Sequence, residues 1–309
     1  MVLSSENINT PSSKFPIRIL QWACFFIFAG RAWQHLIWDA PFRAVLWDQE
    51  LMQGIIEATT GMSWEEYTSS VKAETIIQFF IRATGWLYAL CAVLSISLNS
   101  NLKWLGKILL IGAGSLFLLA LLNCKEKFLQ LGEFMEHGIQ VLSPVFLYYL
   151  LFRTIDKSKL IFAAKIAVAL TFIGHGLYAV NYYPQPGPYV DMMINVFHLE
   201  EGLVKIILKV LGVLDFIFSI LIFIPVTAPL ALIYCGVWGL LTAMARLVAG
   251  FDSNFPIDTL NQYSFETIYR LGNFLIPLWI YYTQKHFLKE LAVPNHTTKK
   301  FEFKTDSAS

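Results

Sequence analysis

Charge is scarce in this chain: only 15% of its 309 residues are Asp, Glu, Lys or Arg, against roughly 25% in soluble domains. That shortage excludes an ordinary soluble domain. The formal net charge is +1, and no basic stretch is interleaved with aromatics, so no nucleic-acid partner is expected. Only four cysteines occur (Cys24, Cys91, Cys124 and Cys235), far apart and with no C-x-x-C pair. They predict neither a disulfide framework nor a thiol redox motif, and three of them lie in apolar runs as small hydrophobes. There is no Walker loop, no dinucleotide fingerprint in a suitable context and no Ser-His-Asp motif.

What the chain has in abundance is apolar surface, at 56% of residues. About 20 mostly apolar residues cross a bilayer core. Eight stretches are expected to do so: Phe15–Trp38, Glu74–Leu98, Trp104–Leu122, Gly132–Phe152, Leu160–Tyr182, Leu203–Pro225, Ala228–Gly250 and Phe265–Tyr282. The runs do not alternate as barrel strands would, so the expected class is an all-α integral membrane protein. Lys and Arg fall in one set of connections (Lys14, Arg18, Lys103, Lys107, Arg153, Lys157, Lys159, Lys285) and acidic residues in the other. This bias predicts a bacterial cytoplasmic membrane location with both termini inside. The first apolar stretch is too long for a cleaved signal peptide.

Two of these segments are alike. His137-Gly-Ile-Gln140 runs to Pro144 and Tyr148-Tyr149, and Arg270-Leu-Gly-Asn273 runs at the same spacing to Pro277 and Tyr281-Tyr282. Weaker echoes link the first and fifth stretches, and the second and sixth. They predict a parallel tandem repeat of two four-helix units, over 15–152 and 160–285. Interfacial segments would lie at 39–71 and 184–202. Residues 1–14 would be a polar cytoplasmic N-terminus and 294–309 a disordered cytoplasmic tail. A parallel repeat argues against a transporter built from inverted halves.

Ionisable residues within spans are costly and usually face a bundle interior or a cavity. Arg31, His35, Arg82, Glu133, Glu136, His137, His175, Asp215, Arg246, Glu266 and Arg270 belong to this group, with Gln140 and Asn273 beside them. Arg31 and His35 share a helix face, as do Glu136 and Gln140. Most lie towards one side of the membrane, which predicts an outward-facing polar pocket. Arg31 paired with Glu133 or Glu136, and Arg82 paired with Asp215, would lower the burial cost. Arg31, His35, Arg82, Gln140, Asp215, Arg246, Arg270 and Asn273 would bind a ligand. His137 and His175 would donate or shuttle protons, with Glu136 orienting an imidazole. Haem is disfavoured, because no C-x-x-C-H motif or ligand spacing accompanies the histidines. No Glu-x-x-His pair supports a di-metal centre, and no metal is assigned. A quinone or a lipid headgroup would suit an apolar cavity with a few His and Arg donors.

Gly30-Arg31-Ala-Trp-Gln-His35, Ala40-Pro41-Phe-Arg43-Ala-Val-Leu-Trp47-Asp48 and Gly174-His175-Gly176-Leu-Tyr178, continuing to Tyr182-Tyr-Pro184-Gln-Pro186-Gly187, resemble the DoxX-like group of membrane proteins. That group includes the small quinone-reducing subunit of thiosulfate:quinone oxidoreductases. The resemblance implies a helical bundle associated with membrane redox work or with a partner enzyme, and it transfers no catalytic set residue by residue. Three readings stand: a ligand-binding protein of a membrane redox process, in contact with lipids; a non-catalytic structural or assembly subunit with a membrane protein partner; and a small-solute transporter.

Overall fold

The computed structural model describes residues 11–99 and 101–292. Most of the expected N-terminal segment 1–14 and all of the expected tail 294–309 lie outside the described residues. Helix α1 spans Pro11–Ile37. Three short helices follow: α2 (Arg43–Leu46), α3 (Gln49–Thr60) and α4 (Trp64–Ser69). Then come α5 (Val71–Ser97), α6 (Lys103–Glu126), α7 (Leu131–Glu136), α8 (Gly138–Phe152) and α9 (Lys157–Ala179). The chain continues with α10 (Gly187–Phe197), α11 (Glu201–Leu221), α12 (Ala228–Gly250), α13 (Pro256–Arg270) and α14 (Gly272–Ala292).

Local chemistry explains many boundaries. Asp48 caps α3 by accepting from the Leu51 amide at 3.0 Å, and Gly61 ends that helix at φ +71°, where a side chain would be strained. Ser63 and Glu66 form a reciprocal capping box on α4. Ser70 caps α5, so that helix starts at Val71, three residues before the expected edge.

Among the described residues, four helices are long and apolar enough to cross a membrane: α5, α6, α9 and α12. This corrects the expectation of eight spans. The stretches expected at Gly132–Phe152 and Phe265–Tyr282 are each split, at His137 and at Leu271. Helix α11 carries Lys205, Lys209 and Asp215, and α1 carries Arg18, Gln21, Arg31, Gln34 and His35, which dilute their apolar character. Nor is a tandem four-helix repeat clear. One long connection holds three short helices and the other holds one. The two expected units also do not stay apart, because α1 lies against α5 and α8 and also against α13 and α14.

Helices α1 and α9 run through the middle, with α9 against α7, α8, α11 and α14. The core around them includes the fully buried Trp279, Tyr88, Phe28 and Phe172. Large apolar side chains also cover the outside, among them Phe79 and Trp86 on α5, Ile111 and Phe117 on α6, and Leu230 and Val237 on α12. Apolar patches of that extent are foreign to soluble monomers and suit a lipid surround. The chain is a multi-pass all-α membrane protein.

Candidate polar centre

Two glycines bring the polar residues together. On α9, a Cβ added to Gly174 would stand 2.6 Å from the Gly132 carbonyl and 2.8 Å from the Glu136 amide. Its absence lets α9 lie directly on α7 and places the next residue, His175, beside Glu136. On α1, a Cβ at Gly30 would stand 2.5 Å from the Tyr269 amide. The close approach of α1 to α13 sets Arg31 over the Tyr269 ring, 3.8 Å from its centroid. Small residues at such crossings are how membrane helices gain packing contact.

Glu136 closes α7 and is only 6% exposed. One carboxylate oxygen accepts from the Tyr189 hydroxyl of α10 at 3.1 Å. The other lies 3.3 Å from His175 Nε2 and 4.0 Å from an Arg270 nitrogen. His175 Nε2 is also 3.4 Å from Arg270 Nη1. A single ring nitrogen cannot serve both neighbours at once. Carrying a hydrogen, it donates to Glu136; without one, it accepts from Arg270. Burial pushes the Tyr189 phenol well above its ordinary range, so it remains a neutral donor.

Arg31 has no carboxylate partner among the described residues. Its Nε and one Nη donate to the Gln140 side-chain oxygen at 2.9 and 2.8 Å, and the other Nη donates to Gln34 at 2.7 Å. The expected Arg31 pairings with Glu133 or Glu136 do not form. Nor does that of Arg82 with Asp215: Arg82 is exposed on α5, whereas Asp215 is buried on α11 beside Trp238 and Tyr234 of α12. Arg246 pairs instead with Glu266 at 3.0 Å, joining α12 to α13.

The other two buried histidines are fixed by backbone. His35 Nδ1 is 2.8 Å from the Arg31 carbonyl, and His137 Nδ1 is 2.8 Å from the Glu133 carbonyl. A carbonyl only accepts, so both rings carry their hydrogen on Nδ1. His137 Nε2 then accepts from Asn123 at 3.3 Å. His137 therefore caps a helix break, and Thr171 completes the repair by accepting from the Ile139 amide at 3.1 Å. His35 Nε2, Arg270 Nε and Asn273 Oδ1 are buried without a protein partner.

The structure thus groups Glu136, His175 and Arg270, and sets Arg31 with Gln140 next to them through Tyr269, whose ring lies 5.7 Å from the Arg270 guanidinium carbon. Asn273 follows on the next turn of chain. Arg82 and Asp215 stand apart. Sequence reasoning missed Tyr189, Tyr269 and Asn123. Tyr189 belongs to a connecting segment with no helical register to the spans, and Tyr269 is one of 13 tyrosines. Among the described residues, no group of three His, Cys, Asp or Glu could hold a metal ion, and all four cysteines are buried and free. A cavity of 270 Å³ opens elsewhere, beside α10 and α11, and none of the residues above lines it. Set against family models, curated proteins and solved structures, the chain has no match.

Proposed function

We propose that the chain is a DoxX-like protein of a bacterial cytoplasmic membrane whose polar centre holds a small oxygen-bearing ligand, a quinone or a lipid headgroup, in a membrane redox process. One observation carries this reading: Tyr189, Glu136, His175 and Arg270, from four separate helices, converge in the bundle interior. Clusters of ionisable groups inside a membrane protein commonly mark a functional site. The donors suit an oxygen ligand, since Arg270 Nε is buried and uncommitted. Arg270 would neutralise a carbonyl or anionic oxygen. His175 would take or give a proton as its Nε2 turns between Glu136 and Arg270. A bound quinone would supply two-electron, two-proton chemistry. Entry requires Tyr189 and α10 to withdraw from Glu136, because they cover it.

A second reading has its own support. Both Glu136 oxygens are already partnered, and Arg82 stands exposed among Phe79, Phe80 and Trp86 on α5. A closed centre and a charged, aromatic lipid-side face suit an assembly subunit that docks a membrane partner.

Purification in mild detergent separates the two. Absorption spectra and mass spectrometry of the lipid extract should find a retained quinone or lipid that Glu136→Gln and His175→Gln release. A ligand-free protein that co-purifies with fixed partners would overturn the ligand reading in favour of assembly.

A further inference from the structure

The 270 Å³ cavity lies between the end of α9, the α9–α10 connection and the first turns of α11, lined by Asn181, Pro184, Gln185, Val190, Lys205 and Lys209. Its mouth is a fixed turn. Asn181 adopts φ +68°, and its side-chain oxygen accepts from the Gln185 amide at 3.0 Å. The Gln185 side chain in turn donates to the Ala179 carbonyl at 3.0 Å. Opposite stand two lysines one helical turn apart on α11. Glu201 engages Lys205 at 2.5 Å. Lys209 has no carboxylate within ion-pair distance among the described residues, so one positive charge is left over.

Lys209 also borders a second depression of 260 Å³, lined otherwise by Val210, Val213 and Leu214 and wholly apolar. Val210 and Val213 are exposed, and so are Ile206 and Ile217 on the same helix. A cationic notch thus adjoins, at Lys209, a shallow apolar groove along the exposed face of α11. A glycerophospholipid with an uncharged headgroup carries one negative phosphodiester charge and trails acyl chains from its glycerol, matching both halves in order. Simple snorkelling of Lys209 would need no notch with a fixed mouth.

We infer that the notch at Lys205 and Lys209, with the groove at Val213, binds one anionic phospholipid, phosphate in the notch and acyl chain in the groove. The site is separate from the polar centre. Native mass spectrometry of the detergent-purified chain, titrated with phosphatidylglycerol or phosphatidylcholine, tests it. Phosphatidylglycerol should be retained preferentially. Lys209→Gln should weaken it about fivefold, the worth of one lysine beside an anionic lipid, and Lys205→Gln by less, because Glu201 already engages that lysine. Lys209→Arg should keep binding, which distinguishes lost charge from lost fold. Val213→Trp should block the groove with both lysines in place. Equal retention of the two lipids, unchanged binding in both glutamine variants, or displacement of the lipid by inorganic phosphate at equal concentration would each overturn the inference.

Discussion

The ion pairs that hold the α2–α3 segment and those that meet around Glu136 use the same kinds of side chain, but the carboxylates differ in how far they are withdrawn from the surface. In the first set, Arg43 bridges Asp39 and Glu74, and Lys125 reaches Asp48. Asp39 is 56% exposed and Glu74 39%. In the second set, the side chain of Glu136 is 7% exposed, that of His175 13% and that of Arg270 16%. Water can replace a lost partner at Asp39 and Glu74 more readily than at Glu136. The same chemistry is therefore a peripheral clasp in one place and a structural commitment in the other.

Removing a charge at the centre should have the largest effect. Glu136→Ala strands Arg270, His175 and the Tyr189 hydroxyl together, and should cost about 3–5 kcal/mol in thermal unfolding in detergent. Loss comparable to a surface variant would mean that water already reaches the centre. Next comes Gln140→Leu, which removes two donors' acceptor from Arg31. About 1.5–3 kcal/mol is expected, because hydrogen bonds to charged groups are the strong ones.

Gly174→Ala sharpens the comparison differently. It adds no charge and removes none, yet its Cβ must push α9 off α7. A loss of about 1–3 kcal/mol should come with a changed environment for the His175 ring, visible as a shifted imidazole resonance. An unchanged resonance would detach His175 from the glycine contact.

The smallest effect belongs to the clasp. Lys125, chiefly through its hydrogen bond, holds the Asp48 carboxyl below the usual range. A depressed carboxylate contributes stability above its unfolded value of about 4 and loses it as pH falls through the lower folded value. Melting temperature followed from pH 7 downward should thus fall less steeply for Asp48→Asn than for the parent chain, and match it in slope near neutrality.

Some features were legible from residue order alone. The span at Ala228–Gly250 coincides with α12, and the α5 and α6 boundaries fall within a few residues, because uninterrupted apolar length is a local property. Gly30-Arg31 and Gly174-His175 lie in the segments that carry the family resemblance, and each is a close helix approach followed by a polar residue delivered across it. The breaks at His137 and Leu271 were not legible. Both stretches are apolar enough to read as continuous, and the His137 break persists because Thr171 and the His137 ring satisfy the freed backbone groups.

Residue order by itself settled the medium: with so little charge and so much apolar length, the backbone must close its own hydrogen bonds in helices, whatever packs against what. The partners of each buried charge were settled only in three dimensions. Arg31 meets glutamines rather than glutamate, and Glu136 meets a tyrosine from a connecting helix, because partner choice depends on which helices touch and how closely. That distance is set by glycines and helix breaks, acting between segments far apart in the chain.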